Sequence, residues 1–222
     1  MCTTNCIAYG VSHLKREEIA GKRVVEVGSY NVNGSLRPIL ESYGPAKYVG
    51  VDIMAGPGVD VVCDAEQLVT TFGERSFDVV VSTEVLEHVR HWRESISNMK
   101  RLCVPGGIIL ITTRSKGFGY HAYPHDYWRY EVDDMKKIFS DFTLEDVRPE
   151  PDPNPKAAGV FLRARKPLDY RENDLAPIEL YSIIADRRVR DINEKMISAF
   201  MRKRKVRKFF GDIARRIKKV VS

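Results

Sequence analysis

The run Val24-Val25-Glu26-Val27-Gly28-Ser29, with Gly34 soon after it and Tyr48-Val49-Gly50-Val51-Asp52 further on, decides the fold. A β-branched stretch without polar alternation forms a strand buried on both faces, as in a parallel sheet. Here it ends in a carboxylate and a glycine, passes through a small polar turn and enters a helix, and the next such strand ends in Asp52. Open α/β sheets hold nucleoside-bearing ligands in this manner. The glycine lets backbone approach the ligand, and the carboxylate ending the second strand accepts hydrogen bonds from ribose hydroxyls.

The turn selects the ligand. A dinucleotide requires the three glycines of G-x-G-x-x-G, so that a helix N-terminus can reach the pyrophosphate. The turn reads Gly28-Ser29-Tyr30-Asn31-Val32-Asn33-Gly34, with Tyr30 and Val32 where the close approach would fall. No G-x-x-x-x-G-K-[ST] phosphate loop occurs either. A ligand with a ribose and no phosphates fits this turn, and S-adenosylmethionine is the expected cofactor.

The pattern continues. Val59-Asp60-Val61-Val62-Cys63-Asp64-Ala65-Glu66 reads as a third strand ending in Asp64, whose carboxylate is placed to accept from an adenine amino group. Phe77–Ser82 is a fourth buried strand that runs into Thr83-Glu84-Val85-Leu86-Glu87-His88-Val89, and Pro105-Gly106-Gly107 turns the chain into the strand Ile108–Thr113. Over roughly residues 20–148 this series resembles the class I S-adenosylmethionine (SAM)-dependent methyltransferases, and within them the methyltransferase type 11 group.

The resemblance implies a Rossmann-like α/β fold, a mostly parallel seven-stranded sheet with helices on both faces. It assigns Glu26 and Gly28 to the methionine part of the cofactor, Asp52 to the ribose, and Asp64 and Ala65 to adenine. Ser29, Asn31, Ile53 and Glu84 complete the expected cofactor-binding set. The chain departs from the group in its first loop, where Asn31, Asn33 and Gly34 stand in for missing glycines. Taken singly, each piece has a plainer reading: Glu26 as a salt-bridged carboxylate, Asp52 as a loop residue, Glu87 and His88 as a solvated helix face.

A chain of 222 residues is long enough for one sizeable α/β domain. The expected division is a cofactor-binding domain over residues 1–166 and a helical basic extension over 167–222. No apolar stretch reaches the roughly 18–20 residues of a membrane-spanning helix, and no signal-peptide pattern precedes the first strand, so a cytoplasmic location is expected. Of the cysteines, Cys63 and Cys103 lie in apolar strand contexts and read as buried thiols. Cys2 and Cys6 have only His13 nearby as a further ligand, so no metal is expected there.

The acceptor side is written in Arg114–Tyr130, which leaves the carboxyl end of a strand and carries many aromatics with His121 and His125. Its Pro124-His125-Asp126-Tyr127-Trp128-Arg129 string resembles a segment of type 11 enzymes from polysaccharide and natural-product pathways. Methyl transfer to a hydroxyl needs alignment, exclusion of water and removal of a proton, and histidine suits the last task near neutral pH. His125, beside Asp126, and His121 are the candidate bases, against a plainer reading in which Asp126 pairs with Arg129. Methylases of exocyclic base amines carry [DNS]-P-P-[YFW] after the fourth strand, whereas this chain has Ser82-Thr83-Glu84-Val85.

The overall charge of +6 has an uneven source. Residues 186–222 carry 14 Lys and Arg against 4 Asp and Glu, leaving the rest of the chain at a net −4. Val206, Phe209, Phe210, Ile213, Ile217, Val220 and Val221 recur at helical spacing among these cations. A basic amphipathic helix reads as a contact for an anionic membrane surface, as a polyanion binder, or as a helix docked on its own domain. The leading expectation is an O-methyltransferase of a glycan, lipid-linked sugar or secondary metabolite. An RNA or protein methyltransferase, with nucleic acid the less favoured partner, and a non-catalytic SAM-binding protein are the alternatives.

Overall fold

A computed structural model describes residues 3–121, 125–151 and 158–221, with backbone alone for 208, 209 and 211–221. The chain runs α1 (Thr4–His13), α2 (Arg16–Ile19), β1 (Arg23–Val27), α3 (Arg37–Ser42), β2 (Lys47–Asp52), β3 (Val61–Val62), α4 (Leu68–Phe72) and β4 (Phe77–Thr83). It continues through α5 (Trp92–Leu102), β5 (Cys103–Arg114), β6 (Trp128–Arg129), α6 (Val132–Ile138), β7 (Thr143–Pro149), β8 (Gly159–Arg165), β9 (Leu180–Ser182), β10 (Arg187–Val189) and α7 (Glu194–Val221).

The main sheet has seven strands in the order β3-β2-β1-β4-β5-β8-β7. The first five are parallel, while β8 pairs antiparallel with both β5 and β7. This is the mostly parallel Rossmann-like sheet expected from the sequence. The uninterrupted apolar runs sort their residues by parity onto two faces, as the pleat requires. Val24, Val79, Val81, Ile108, Leu110 and Phe161 pack with Leu14, Ile19, Leu36 and Leu40 on one side. Val25, Val27, Val80, Ile109, Ile111 and Leu162 pack on the other, against Trp92, Ile96, Met99 and Leu102 of α5. Those four recur at helical spacing, so α5 buries one stripe along its length.

The segment following β8 differs from the expected helical extension. Residues 180–189 fold back as the β9–β10 hairpin, and β9 pairs with β6 in a second, three-stranded sheet. Leu175, Leu180, Ile184, Val189 and Ile192 join the same core as the main sheet. Buried Lys100 ties this segment down, donating to Asn173 Oδ1 at 2.8 Å and to the Asp141 carboxylate. Helix begins only at Glu194. The first turns of α7 are packed, with Met196, Ile197 and Phe200 against the core and the Phe200 ring 5.1 Å from Tyr120. Further along, Val206 and Phe210 are more than half exposed. Among the described residues, no helix is long and apolar enough to cross a membrane.

Candidate active site

Strand order reverses between β1 and β4, and in an open α/β sheet the crevice beyond the carboxyl ends of strands at such a point is where ligands bind. A cavity of about 290 Å³ lies there. Its lining comes from the end of β1 (Val27, Gly28), the end of β2 (Asp52, Ile53), the residues after β3 (Asp64, Ala65) and those after β4 (Glu84, Val85). His88, His125 and Tyr127 close it from the acceptor side.

Gly28 is required by its conformation and its neighbour. Its φ is +82°, and a Cβ there would stand 1.9 Å from Val85 Cγ2. Asp52 ends β2 with both oxygens oriented: Oδ2 accepts from Tyr30 N at 3.2 Å and Oδ1 from Met54 N at 3.1 Å. Each oxygen keeps a further lone pair for a ligand hydroxyl. Asp64 caps the short turn that follows it, accepting from Glu66 N at 2.9 Å. Glu84 is buried at φ +59°, paired with Arg114, and accepts from the Cys6 thiol at 3.4 Å. Burial and the neighbouring Glu87 raise its carboxyl well above the usual range.

Three expected cofactor residues stand outside the cavity lining. Glu26 is buried within β1 and accepts from Tyr48 Oη at 2.8 Å. Ser29 donates its backbone N–H to Val51 O, and Asn31 Oδ1 accepts from Gly34 N at 2.9 Å. All three brace the loop that carries Gly28. Cys6, Cys63 and Cys103 are buried and unbridged, and burial pushes the Cys103 thiol up to about 12. Cys2 lies outside the described residues.

The two candidate bases occupy different places. His125 lines the cavity, with its ring 5.6 Å from that of Tyr127. His121 sits behind the lining, in a buried polar cluster that the sequence did not reveal. Asp126 serves this cluster and Arg129 rather than His125: it accepts from Arg129 Nη1 and Nη2 at 2.5 and 2.7 Å and lies 3.1 Å from His121 Nδ1. A carboxylate-oriented His125 is thereby corrected to a carboxylate-oriented His121. Burial would lower His121, yet Asp126 and Glu87 outweigh it and push its pKa up to about 9.

The plainer sequence reading of Glu87 and His88 as a solvated helix face does not hold: they lie on a short 3-10 turn, Leu86–His88, in which Glu87 is buried. The Glu87 side chain is fully buried, and its Oε2 accepts from Thr113 Oγ1 at 2.8 Å. Burial would raise this carboxyl, but His121 and His88 more than offset it and hold the group ionised. The quoted string Glu84–Val89 carried these residues. The inward turn of Glu87 depends on Thr113, which lies on another strand.

Residues 9–148 match the model of a family described as "Methyltransferase domain". The chain belongs to that family. Such methyltransferase domains use S-adenosylmethionine as their methyl donor. The phthiotriol/phenolphthiotriol dimycocerosates methyltransferase 1 of Mycobacterium ulcerans is 36% identical over 107 residues, covering 43% of this chain and 38% of that one. The mitochondrial ubiquinone biosynthesis O-methyltransferase of Mus musculus is 31% identical over 129 residues, covering 50% and 34%. The chain thus spans little more than a third of the length of these relatives.

Two solved structures show the same fold. One is the Burkholderia thailandensis 1,6-didemethyltoxoflavin-N1-methyltransferase with bound S-adenosylhomocysteine, with TM-score 0.59 and 16% identity over 72% of this chain and 78% of that one. The other is the N-methyltransferase NodS of Bradyrhizobium japonicum, with TM-score 0.57 and 16% identity over 74% and 89%. The cavity fits a SAM-sized nucleoside. Gly28 and the Asp52 and Asp64 carboxylates line it together, a set whose hydrogen-bonding chemistry suits a ribose and a base.

Proposed function

We propose that this methyltransferase acts on a hydroxyl of a glycan, a lipid-linked sugar or a secondary metabolite. One observation carries the reading. His88 and His125 line the same cavity as Asp52 and Asp64, so a proton acceptor and the cofactor carboxylates face one space. Val32, Ile53, Met54, Val85 and Val89 give that space largely apolar walls. The names of the mycobacterial and ubiquinone relatives point to lipid acceptors.

Asp52 would hold the ribose hydroxyls, Asp64 and Ala65 would frame adenine, and Ile53 would cover the base. Gly28, on the loop braced by Glu26, Ser29 and Asn31, and Glu84 after β4 would border the methionine end. When bound, the cofactor supplies an electrophilic methyl on a sulfonium. The protein's task is to place the acceptor oxygen in line with the breaking S–C bond and to exclude water. His125 would accept the hydroxyl proton of the acceptor as its oxygen takes the methyl group. His125→Ala should lower turnover by roughly 10²–10⁴-fold with cofactor affinity kept, measured on a panel of hydroxylated lipids and sugars. A loss below tenfold would leave His125 as a wall of the cavity only.

The exposed cations of α7 between Arg202 and Arg207, together with exposed Val206 and Phe210, favour a second element of this reading: the distal half of α7 contacts an anionic membrane surface. An acceptor with a lipid body would be met there.

A further inference from the structure

Behind the cavity wall, three polar side chains meet. His88 Nδ1 lies 2.6 Å from the carbonyl oxygen of His125, and a carbonyl only accepts, so Nδ1 carries the proton. His121 Nδ1 lies 3.1 Å from the Asp126 carboxylate, which also accepts from the His121 backbone N–H at 2.9 Å. His88 Nε2 lies 3.8 Å and His121 Nε2 3.5 Å from Glu87 Oε1, and a cation would take the place of the proton that His121 holds in its absence. Glu87 Oε1 is buried and has no hydrogen-bond partner among the described residues. Its twin Oε2 is fixed by Thr113. One ligand atom from each residue lies within 4.8 Å of the others.

We infer that Glu87, His88 and His121 form a site for a divalent first-row transition cation, beside the methyl-transfer cavity. Two imidazoles and one carboxylate on one side of an ion suit zinc, manganese, iron or cobalt rather than magnesium or calcium. Metal–ligand bonds of about 2.0–2.2 Å place ligand atoms roughly 3.0–3.5 Å apart, so the two separations from Glu87 need only a small contraction, while the whole set, within 4.8 Å, must close further. Every ligand already has its outer support: Thr113 on Glu87, the His125 carbonyl on His88 and Asp126 on His121. Such support fixes tautomer and ring orientation at metal sites.

His88 is shared between the cluster and the cavity lining, so the cation would lie at the acceptor's edge. Resting on the hydroxyl-acceptor reading, it would hold the acceptor oxygen and lower the pKa of that hydroxyl. The site itself stands without that reading.

The test uses the full chain stripped with chelator and titrated with Zn2+, Mn2+ and Co2+, by equilibrium dialysis and, for Co2+, by its visible absorption. One equivalent should bind, and Glu87→Gln and His121→Ala should each weaken it by at least about 100-fold. Asp126→Asn, which removes outer support, should weaken it by roughly 10–100-fold. S-adenosylhomocysteine titration of each variant reports whether the fold survives. Should the buried substitutions unfold the chain, His88→Gln, at a partly exposed position, carries the test. No saturable binding, or binding unchanged in variants that keep cofactor affinity, would overturn the site. Metal binding without methyl transfer to any hydroxyl would leave the site standing and sink the acceptor assignment. Methyl transfer by the stripped enzyme, unchanged on adding metal, would deny the cation its part in catalysis.

Discussion

Gly28 lies under Val85 so closely that a Cβ on residue 28 would meet Val85 Cγ2 at 1.9 Å. The end of β1 and the turn after β4 therefore close on each other across the strand-order reversal, beside the cavity that both line. The relation joins the first motif of the sequence to the fourth.

Gly28→Ala should consequently damage the site in two ways. The residue sits at φ +82°, which costs an alanine about 1–2 kcal/mol, and the added methyl forces Val85 away at a further cost of about 1–3 kcal/mol. Thermal denaturation should show a clear loss of stability, and calorimetry a loss of S-adenosylhomocysteine affinity of tenfold or more. Full affinity in the variant would mean that the loop is not pressed against Val85.

Glu26 gives a pH signature. Burial is the largest influence on it and raises its carboxyl from 4.5 to about 7, against hydrogen bonds from Tyr48 and Ser35. The folded state therefore holds the proton more tightly than the unfolded chain. Its contribution is fully present below about pH 4.5 and is lost as pH rises through 7. At about 1.4 kcal/mol per pH unit, roughly 3 kcal/mol separates the two limits. Glu26→Gln cannot titrate, so the difference in urea unfolding free energy between wild type and variant should move by about that amount between pH 4.5 and 8. A difference constant with pH would show that Glu26 ionises normally.

The distal half of α7 can be tested by deletion. Without residues 202–222 the protein should keep its fold and its S-adenosylhomocysteine affinity but no longer sediment with anionic vesicles. Each Lys or Arg near such a surface contributes about 1 kcal/mol. Val206→Ser with Phe210→Ser should weaken sedimentation even at low salt, because charge is retained while insertion is lost. Unfolding or aggregation of the truncated chain would show that the helix packs on its own domain instead.

The parts of this molecule that repeat a period were legible in its sequence. The β-branched runs at Val24–Val27, Val49–Val51 and Val79–Val81 are buried on both faces and so could be only strands of a covered sheet. Asp52 and Asp64 were legible because each ends such a run. The hairpin at 180–189 was not, since its strands are three residues long and include exposed Arg187 and Arg188, which leaves no alternation to read. Glu87 and His88 were quoted as part of a motif, but their inward placement is set by Thr113 and the His125 carbonyl. Those partners are 26 and 37 residues away, beyond any local pattern. For Asp126 local adjacency suggested His125 or Arg129, and the folded loop gives it Arg129 together with His121.

The most direct test of the account is a calorimetric titration of the full chain with S-adenosylmethionine and S-adenosylhomocysteine, repeated with Asp52→Ala and with NAD. Both nucleosides should bind the wild type, and NAD should not, because the loop from Gly28 to Gly34 lacks the glycines a pyrophosphate needs. Loss of the charge-assisted hydrogen bonds of Asp52 should weaken binding by about 1.5–3 kcal/mol, roughly 10–150-fold. NAD binding without S-adenosylmethionine binding would contradict the account at its centre, and an Asp52→Ala affinity equal to wild type would remove the ribose from the end of β2.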